Sequence, residues 1–371
     1  MPRRLETDRW LFLTAVALCL IGAVMVFSAS AVIARERFGG AYTFFLRDLV
    51  WLVLGLGAMI VMMRVDYHKL RQPKVIFTAL FTVLVLLVGV LLLDKSHATH
   101  RWIRLGPASI QPSEFAKLAV ILYLAWFLER RCHRRGARAS GGVNNLWQTI
   151  VPALGPVVLL LGLIIIQPDL GTAIEIFLIA LAMLFVAGLD RRYIVYAGMA
   201  ALPAVVLLIM RMTYQYERVL AFLNPGADPQ GRGFQLLQSL IAVGSGGFTG
   251  VGLMESRQKL FYLPEAHTDF IYAVLCEELG FIGGAAVLAL FAIYAWRGLR
   301  AAVGAPDDFG RLLALGITVM VISQALINLG VVMGMMPTKG IPLPFISYGG
   351  SSLVVMLVAT GVLSNISQRS N

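Results

Sequence analysis

Charged side chains are scarce in this sequence, and cysteines are few. Only 14% of the residues are charged, against about a quarter in an average soluble domain, while 58% are hydrophobic and the mean hydropathy is +0.80. This composition excludes an ordinary soluble domain and indicates a protein that crosses a membrane several times. Cys19, Cys132 and Cys276 are far apart and odd in number, so neither a disulfide framework nor a thiolate metal site is indicated.

Acidic residues are fewer than basic ones, and the formal net charge is +11. Such a balance can indicate nucleic-acid binding. Here the basic residues stand in short runs between apolar segments, which is the pattern that fixes the orientation of membrane helices. We therefore interpret the positive charge as a topology signal and expect no nucleic-acid partner.

The apolar residues form ten runs, each near the length of about 20 residues that a membrane-spanning helix needs. The first run is longer than the apolar core of a signal peptide, so we predict an uncleaved span. The sequence predicts an all-α, polytopic integral membrane protein with a single membrane domain over 1–371. The predicted spans are 10–33, 44–64, 75–93, 112–128, 148–166, 170–188, 193–210, 270–296, 312–335 and 345–366.

An even number of spans puts both termini on one side of the membrane. Most of the 31 lysines and arginines fall on that side, which predicts that the termini are cytoplasmic. The outer face then carries segments 94–111, 167–171, 211–268 and 336–344. Within the long outer loop, 234–243 is apolar but too short to cross, so we expect an interfacial or re-entrant segment.

The most informative stretch is YLPEAHTDFIYAVLCEELG, 262–280. It places Glu265, His267 and Asp269 directly before the apolar run 270–296. Carboxylates beside hydrocarbon are costly, so they tend to pair, to line wet cavities or to take part in chemistry. A short polar side chain here could also simply cap the helix. At a helix N-terminus we expect the dipole to lower the pKa of Asp269.

A second polar position opens the fourth span, where Glu114 and Lys117 share one helix face and can pair. This pair either fixes helix packing or forms the floor of a polar cavity, with Arg101 and Arg104 above it as anion ligands.

Two outer segments are rich in residues that break helices. The glycines of 244–252 can form an anion-binding nest or a flexible connector, and the sequence leaves both open. The prolines of 336–344 prevent a regular helix, and Lys339 among them is a candidate phosphate ligand. The small residues that follow, Ser351 among them, let the last helix pack closely. Asp169, in the tight turn QPDLG, is a turn and cap residue on the same face.

These segments together resemble the SEDS family (shape, elongation, division and sporulation) over essentially the whole chain. The resemblance rests on five ordered motifs, and PEAHTDF, MPTKG and ISYGGSS are closer to the FtsW cell-division branch than to the RodA branch. The motifs are RWIRLG with QPSEFAKL, QPDLGT, NPGADPQGRGFQLLQS with GSGG, QKLFYLPEAHTDFIYAVLCEELG and PTKGIPLPFISYGGSS.

The resemblance implies a peptidoglycan glycosyltransferase of the bacterial cytoplasmic membrane, acting at the division septum. Such an enzyme polymerises lipid II at the outer face and works with a class B penicillin-binding protein and other division membrane proteins. The essential aspartate of the family maps onto Asp269. A divalent cation, Mg or Mn, could assist the leaving pyrophosphate, and His97 and His100 are weak candidate metal ligands in a loop.

We therefore predict Asp269 as the catalytic residue, with substrate contacts or support from Arg101, Glu114, Lys117, His267 and Lys339, and further support from Gln111, Asp169, Glu265 and Ser351. Two other functions remain open from the sequence. One is a carrier that moves lipid II across the bilayer, and the other is a non-catalytic scaffold that recruits a division synthase.

Overall fold

The computed structural model describes residues 8–93, 101–105, 108–132 and 142–369. His97 and His100 lie outside these residues. The described chain is almost entirely helical. Its helices are α1 (Arg9–Phe38), α2 (Thr43–Arg64), α3 (Pro73–Leu93), α4 (Pro112–Cys132), α5 (Val151–Ile166), α6 (Leu170–Val186), α7 (Arg191–Arg211), α8 (Thr213–Leu223), α9 (Phe234–Ser245), α10 (Ile271–Val303), α11 (Asp308–Val332) and α12 (Gly350–Ser367).

Ten of these helices, α1 to α7 and α10 to α12, coincide in position with the ten predicted spans. Within the described residues, eight helices are long and apolar enough to cross a bilayer. The other two fall short for identifiable reasons: α6 has 17 residues, and α4 carries charged side chains near both of its ends. The all-helical membrane fold is confirmed.

The loop before α4 contains a short element that we did not predict. Strand β1 (Ile103–Leu105) pairs with the antiparallel strand β2 (Ala108–Ile110), so that Arg104 lies opposite Ser109. Helix α4 begins two residues after β2.

Burial differs strongly between the helices. Most of α11 and α12 is buried, whereas α7 has no buried residue. The predicted close packing of the last helix is present at its first residue: a Cβ on Gly350 would overlap the indole of Trp51 in α2. Helix α4 is also mostly buried and packs on α11, so the centre of the core is formed by α4, α11 and α12.

The predicted span that follows Asp269 is broken. Helix α10 extends to Val303, and Gly280 adopts φ +66°, which separates a short, buried first segment from a longer second segment. An L-residue with a side chain rarely adopts that conformation. The break creates free backbone groups inside the protein, and these must find partners.

The partners come from the glycine-rich segment, and both sequence-based interpretations of it, a nest and a flexible connector, are wrong. Val251 N donates to Glu277 O at 3.0 Å, and Phe281 N donates to Gly247 O at 2.9 Å. A Cβ on Gly250 would overlap the carbonyl oxygen of Glu278. The glycines are needed because backbone lies directly on backbone where α10 breaks.

The long outer loop contains two helices, α8 and α9. Helix α9 has 12 residues, which is too short to cross, and it packs on α10 and α11. Ser239 Oγ donates to Val332 O at 2.8 Å, which attaches α9 to the end of α11. Residues 333–349 are irregular, and they include the segment 336–344, where we predicted that prolines prevent a helix.

Candidate active site

A cleft of about 400 Å³ opens where the irregular segments meet. Its walls come from the first half of α2, the start of α12, the β-hairpin, α8, the chain before α10 and the segment between α11 and α12. The lining consists of Trp51, Arg101, Trp102, Ser109, Gln111, Tyr214, Arg218, Glu265, Thr268, Asp269, Gly340, Pro342, Tyr348, Gly349, Gly350 and Ser352.

Asp269 is held in this cleft by its backbone and by a close neighbour. Its carbonyl oxygen accepts a hydrogen bond from Asn328 Nδ2 at 2.8 Å, and the preceding carbonyl, Thr268 O, accepts one from Ser347 Oγ at 2.6 Å. A Cβ on Gly340 would lie 3.2 Å from Asp269 Oδ2. The carboxylate is thus fixed against a glycine while the side chain stays half-buried and open to the cleft.

The capping role considered for this stretch is wrong, because the residue at the N-cap of α10 is Phe270 and no side chain makes a capping hydrogen bond there. The expected direction of the pKa shift is also wrong. The pKa of Asp269 is raised to about 7, mainly by burial and also by the charge of Glu265, whereas Arg218 and Arg101 oppose the rise. Desolvation of the carboxylate outweighs the helix dipole.

Arg101 reaches the cleft from the chain before the hairpin. Its guanidinium donates to the carbonyl oxygens of Gln167 and Pro168, and Nη1 lies 3.8 Å from Asp169 Oδ1. The turn between α5 and α6 therefore orients Arg101.

Asp169 belongs to a buried network behind Arg101. It caps α6 and accepts from Thr172 Oγ1 at 2.8 Å and from Gln111 Nε2 at 3.1 Å. Gln111 N in turn donates to Ser351 Oγ at 3.2 Å. The three predicted supporting residues Gln111, Asp169 and Ser351 thus connect α4, α6 and α12 next to the cleft.

The predicted pair of Glu114 and Lys117 is present, with Nζ 2.9 Å from the carboxylate, but it does not line the cleft. Lys117 is fully buried and also contacts Glu175 Oε2 at 3.3 Å and Gln324 Oε1 at 2.6 Å. Gln324 Nε2 then donates to Pro342 O at 2.8 Å, in the cleft wall. The pair lies one layer beneath the cleft, so the expectation of a cavity floor is corrected.

Of three other predicted residues, Glu265 lines the cleft, whereas His267 and Lys339 do not. His267 packs against the rings of Phe44, at 5.0 Å, and Tyr348, at 5.8 Å, and it does not line the cleft. Glu265 lines the rim and accepts from Thr268 Oγ1 at 3.0 Å. Lys339 is half-buried just outside the lining, and desolvation lowers its pKa to about 8.

Arg218 was not among the residues predicted from the sequence. This residue lies on α8, donates from Nη1 to Thr338 O at 3.1 Å, and stacks over the ring of Tyr214 at 4.4 Å. Burial lowers its pKa, and its charge acts on Asp269. The available signal was the i, i+4 spacing of Tyr214 and Arg218 in the segment TYQYERVLAFL, which puts both on one helix face.

A metal centre built by the protein alone is not found among the described residues, since no three His, Cys, Asp or Glu side chains converge there. Asp269 and Glu265 are the carboxylates of the cleft. The arrangement is a half-buried carboxylate facing two guanidinium groups, which suits a proton acceptor beside an anionic ligand.

Comparison with known proteins agrees with this geometry. The chain is 45% identical over 370 residues to the probable peptidoglycan glycosyltransferase FtsW of Trichlorobacter lovleyi, covering 99% of this chain and 94% of that protein. It is 44% identical over 371 residues to the stage V sporulation protein E of Bacillus subtilis, covering 99% of each.

Two solved structures share the fold. A chain of a peptidoglycan synthase complex, studied for its coordination of polymerization and crosslinking, matches with a TM-score of 0.78 and 32% identity over 98% of each chain. The rod shape determining protein RodA of Thermus thermophilus matches with a TM-score of 0.69 and 28% identity over all of both chains. The family model for cell cycle proteins of the FtsW, RodA and SpoVE type matches residues 8–371. The chain belongs to this family of FtsW, RodA and SpoVE cell cycle proteins.

Proposed function

We propose that this protein is a peptidoglycan glycosyltransferase that polymerises lipid II at the outer face of the cytoplasmic membrane, for septal wall synthesis in cell division. The observation that carries the proposal is the half-buried carboxylate of Asp269 in an open cleft beside Arg101 and Arg218. The FtsW relatives and the synthase complex support the same reaction.

The orientation follows from the charge distribution. Lys69 and Arg71 lie between α2 and α3, Lys74 lies in the first turn of α3, and Arg297 and Arg300 lie near the end of α10. All five are at the end of the bundle that carries the termini, opposite to the cleft. Because basic residues favour the cytoplasmic side, the termini face the cytoplasm and the cleft faces outward.

In the proposed reaction, Asp269 is the general base. It takes the proton of the acceptor 4-hydroxyl while that oxygen bonds to the anomeric carbon of the donor, and the bond from this carbon to the pyrophosphate oxygen breaks. One displacement inverts the configuration at the anomeric carbon, so an α-linked donor gives a β-linked product. A pKa of about 7 suits this role, since a base works best when its pKa is near the operating pH.

The leaving pyrophosphate carries negative charge that must be stabilised. Arg218 and Arg101 line the same cleft as Asp269. An arginine can hold phosphate oxygens through two parallel hydrogen bonds. A divalent cation remains a prediction, and Glu265 is the other carboxylate of the cleft that could bind it. It would neutralise charge on the pyrophosphate.

The partner we propose is a class B penicillin-binding protein, which crosslinks the strands that this protein polymerises, together with other membrane proteins of the division machinery. Support comes from the fold shared with a synthase complex that coordinates polymerization with crosslinking.

Purified protein in detergent, given lipid II with and without a class B synthase and with or without chelator, tests the proposal. We expect glycan strands from the wild type and none from Asp269→Asn, because asparagine keeps the size and shape of the side chain but removes the carboxylate. Glu255→Gln is the matched control, because Glu255 is an exposed carboxylate of the same outer loop and does not line the cleft.

Full activity of Asp269→Asn would remove Asp269 from the mechanism. Lipid II movement across sealed vesicles with no glycan product would support a carrier instead. An Asp269→Asn variant that still supports polymerisation by a partner synthase would support a scaffold.

A further inference from the structure

A second concave site lies at the opposite end of the bundle from the cleft. This groove of about 460 Å³ is bordered by the first turn of α1, the end of α2 and the end of α12. One part of its wall is basic, with Arg64 and Arg369, and another part is apolar, with Phe12, Ile60 and Met63. None of the described residues that line it is acidic.

The two arginines differ in how far their charge is paired within the protein. Arg64 is the last residue of α2 and is exposed. Arg369 Nη1 lies 2.9 Å from Asp66 Oδ2, and its guanidinium stacks over the ring of Tyr67 at 5.6 Å. Its Nε is buried and has no hydrogen-bond acceptor among the described residues. Arg369 is thus positioned by the protein, while Arg64 offers a full positive charge to a ligand.

The apolar side chains of the groove indicate which kind of anion binds there. Ile60 is 44% exposed, one turn before Arg64 on α2, so an apolar surface continues from the basic residues along the membrane-spanning part of the helix. A soluble anion would leave this surface in contact with water. A phospholipid places its phosphate at the helix end and its acyl chain along the helix.

We propose that this groove binds the phosphate headgroup of an anionic phospholipid, with Arg64 as its main ligand and the acyl chain on Phe12, Ile60 and Met63. Basic pockets between helices at the cytoplasmic side of a membrane are suited to such lipids. The groove contributes no residue to the cleft, so this binding is independent of the glycosyltransferase reaction proposed above.

Native mass spectrometry of the full-length protein with phosphatidylglycerol or with phosphatidylcholine of the same acyl chains tests this site. We expect the wild type to prefer phosphatidylglycerol by about fivefold, which is the effect of one arginine near an anionic lipid. Arg64→Ala should lose the preference, and Arg64→Lys should keep part of it. The matched control is Arg191→Ala, since Arg191 is an exposed arginine at the same end of the bundle that does not line this groove.

Equal binding of the two lipids by the wild type, or an unchanged preference in Arg64→Ala, would overturn the proposal. An equal loss in Arg191→Ala would show a general effect of surface charge and would also overturn it. Displacement of phosphatidylglycerol by millimolar inorganic phosphate would assign the groove to a soluble anion. Polymerisation in detergent should be unchanged in Arg64→Ala, so the two proposals can fail separately.

Discussion

Two lysines are buried among the residues that the structure describes, and they stabilise different parts of the protein. Lys117 in α4 is 0% exposed and lies 2.9 Å from Glu114. Lys259 in the long outer loop is 4% exposed and lies 2.7 Å from Glu278 in α10. Burying a charge is costly unless it is paired, so each lysine fixes the position of its partners.

The hydrogen-bond partners of each lysine show which part of the protein it stabilises. Lys117 also bonds to Gln324 on α11, which supports the cleft wall at Pro342, and Asn328, one turn further along α11, holds the backbone of Asp269. The Lys117 cluster is therefore connected through α11 to Asp269, the proposed catalytic base.

Lys259 instead ties the outer loop to α1 and α10. Its Nζ also bonds to Ser28 Oγ at 3.0 Å, and Ser28 Oγ donates to Glu278 at 2.6 Å. A buried pair of lysine and glutamate thus supports the proposed active site in one region and attaches a loop to the helices in the other. We expect substitutions of the two lysines to affect activity differently.

Replacing Lys117 should have the largest effect. Lys117→Met leaves Glu114 and Glu175 buried without their cation, at a cost of about 3–5 kcal/mol of folding free energy. Polymerisation should be lost, because the cleft wall loses its support. Thermal unfolding in detergent and the lipid II assay measure the two effects. The added substitution Glu175→Gln should restore part of the stability but not the activity. A wild-type polymerisation rate in Lys117→Met would contradict the expected difference between the two lysines.

Replacing Lys259 should destabilise the protein with less effect on the reaction. Lys259→Met leaves only Glu278 without its cation, and Ser28 still donates to it, so we expect a loss of about 3 kcal/mol, at the lower end of the range. The rate per folded molecule should stay within about tenfold of the wild type, a barrier change of at most about 1.4 kcal/mol. An inactive variant with an unchanged unfolding temperature would place Lys259 in the active site.

A glycine of the same loop gives a smaller and more local test. Gly250 has φ +83° and lies against the backbone of Glu278, so Gly250→Ala should cost about 1–3 kcal/mol through backbone strain. Gly244→Ala is the matched control, because nothing lies within 4 Å of its added methyl group and it is in α9. Equal unfolding temperatures for the two variants would contradict the docking of this loop.

Much of the site could be predicted from the sequence because its parts are local in the chain. The spans follow from runs of apolar residues, and the pair of Glu114 and Lys117 follows from their spacing on one helix face. Asp269 was identified by its position between a polar loop and an apolar run, and by the family resemblance.

The rest depends on contacts between distant parts of the chain. Glu175 and Gln324 are single polar residues in apolar helices, and nothing in their local pattern shows that both meet Lys117. Arg218 lies in a loop of nearly sixty residues whose path the sequence does not reveal. The pKa of Asp269 was predicted in the wrong direction because its burial arises from tertiary packing against the chain around Gly340.

The pH dependence of kcat/KM for lipid II polymerisation tests the central claim most directly. A general base must be deprotonated, so with the pKa of Asp269 at about 7 the rate constant should rise about tenfold per pH unit below that value. It should level off above that value, once most of the Asp269 carboxylate is deprotonated. A rate constant that is the same at pH 5.5 and pH 7.5 would contradict the assignment of Asp269 as a partly desolvated catalytic base.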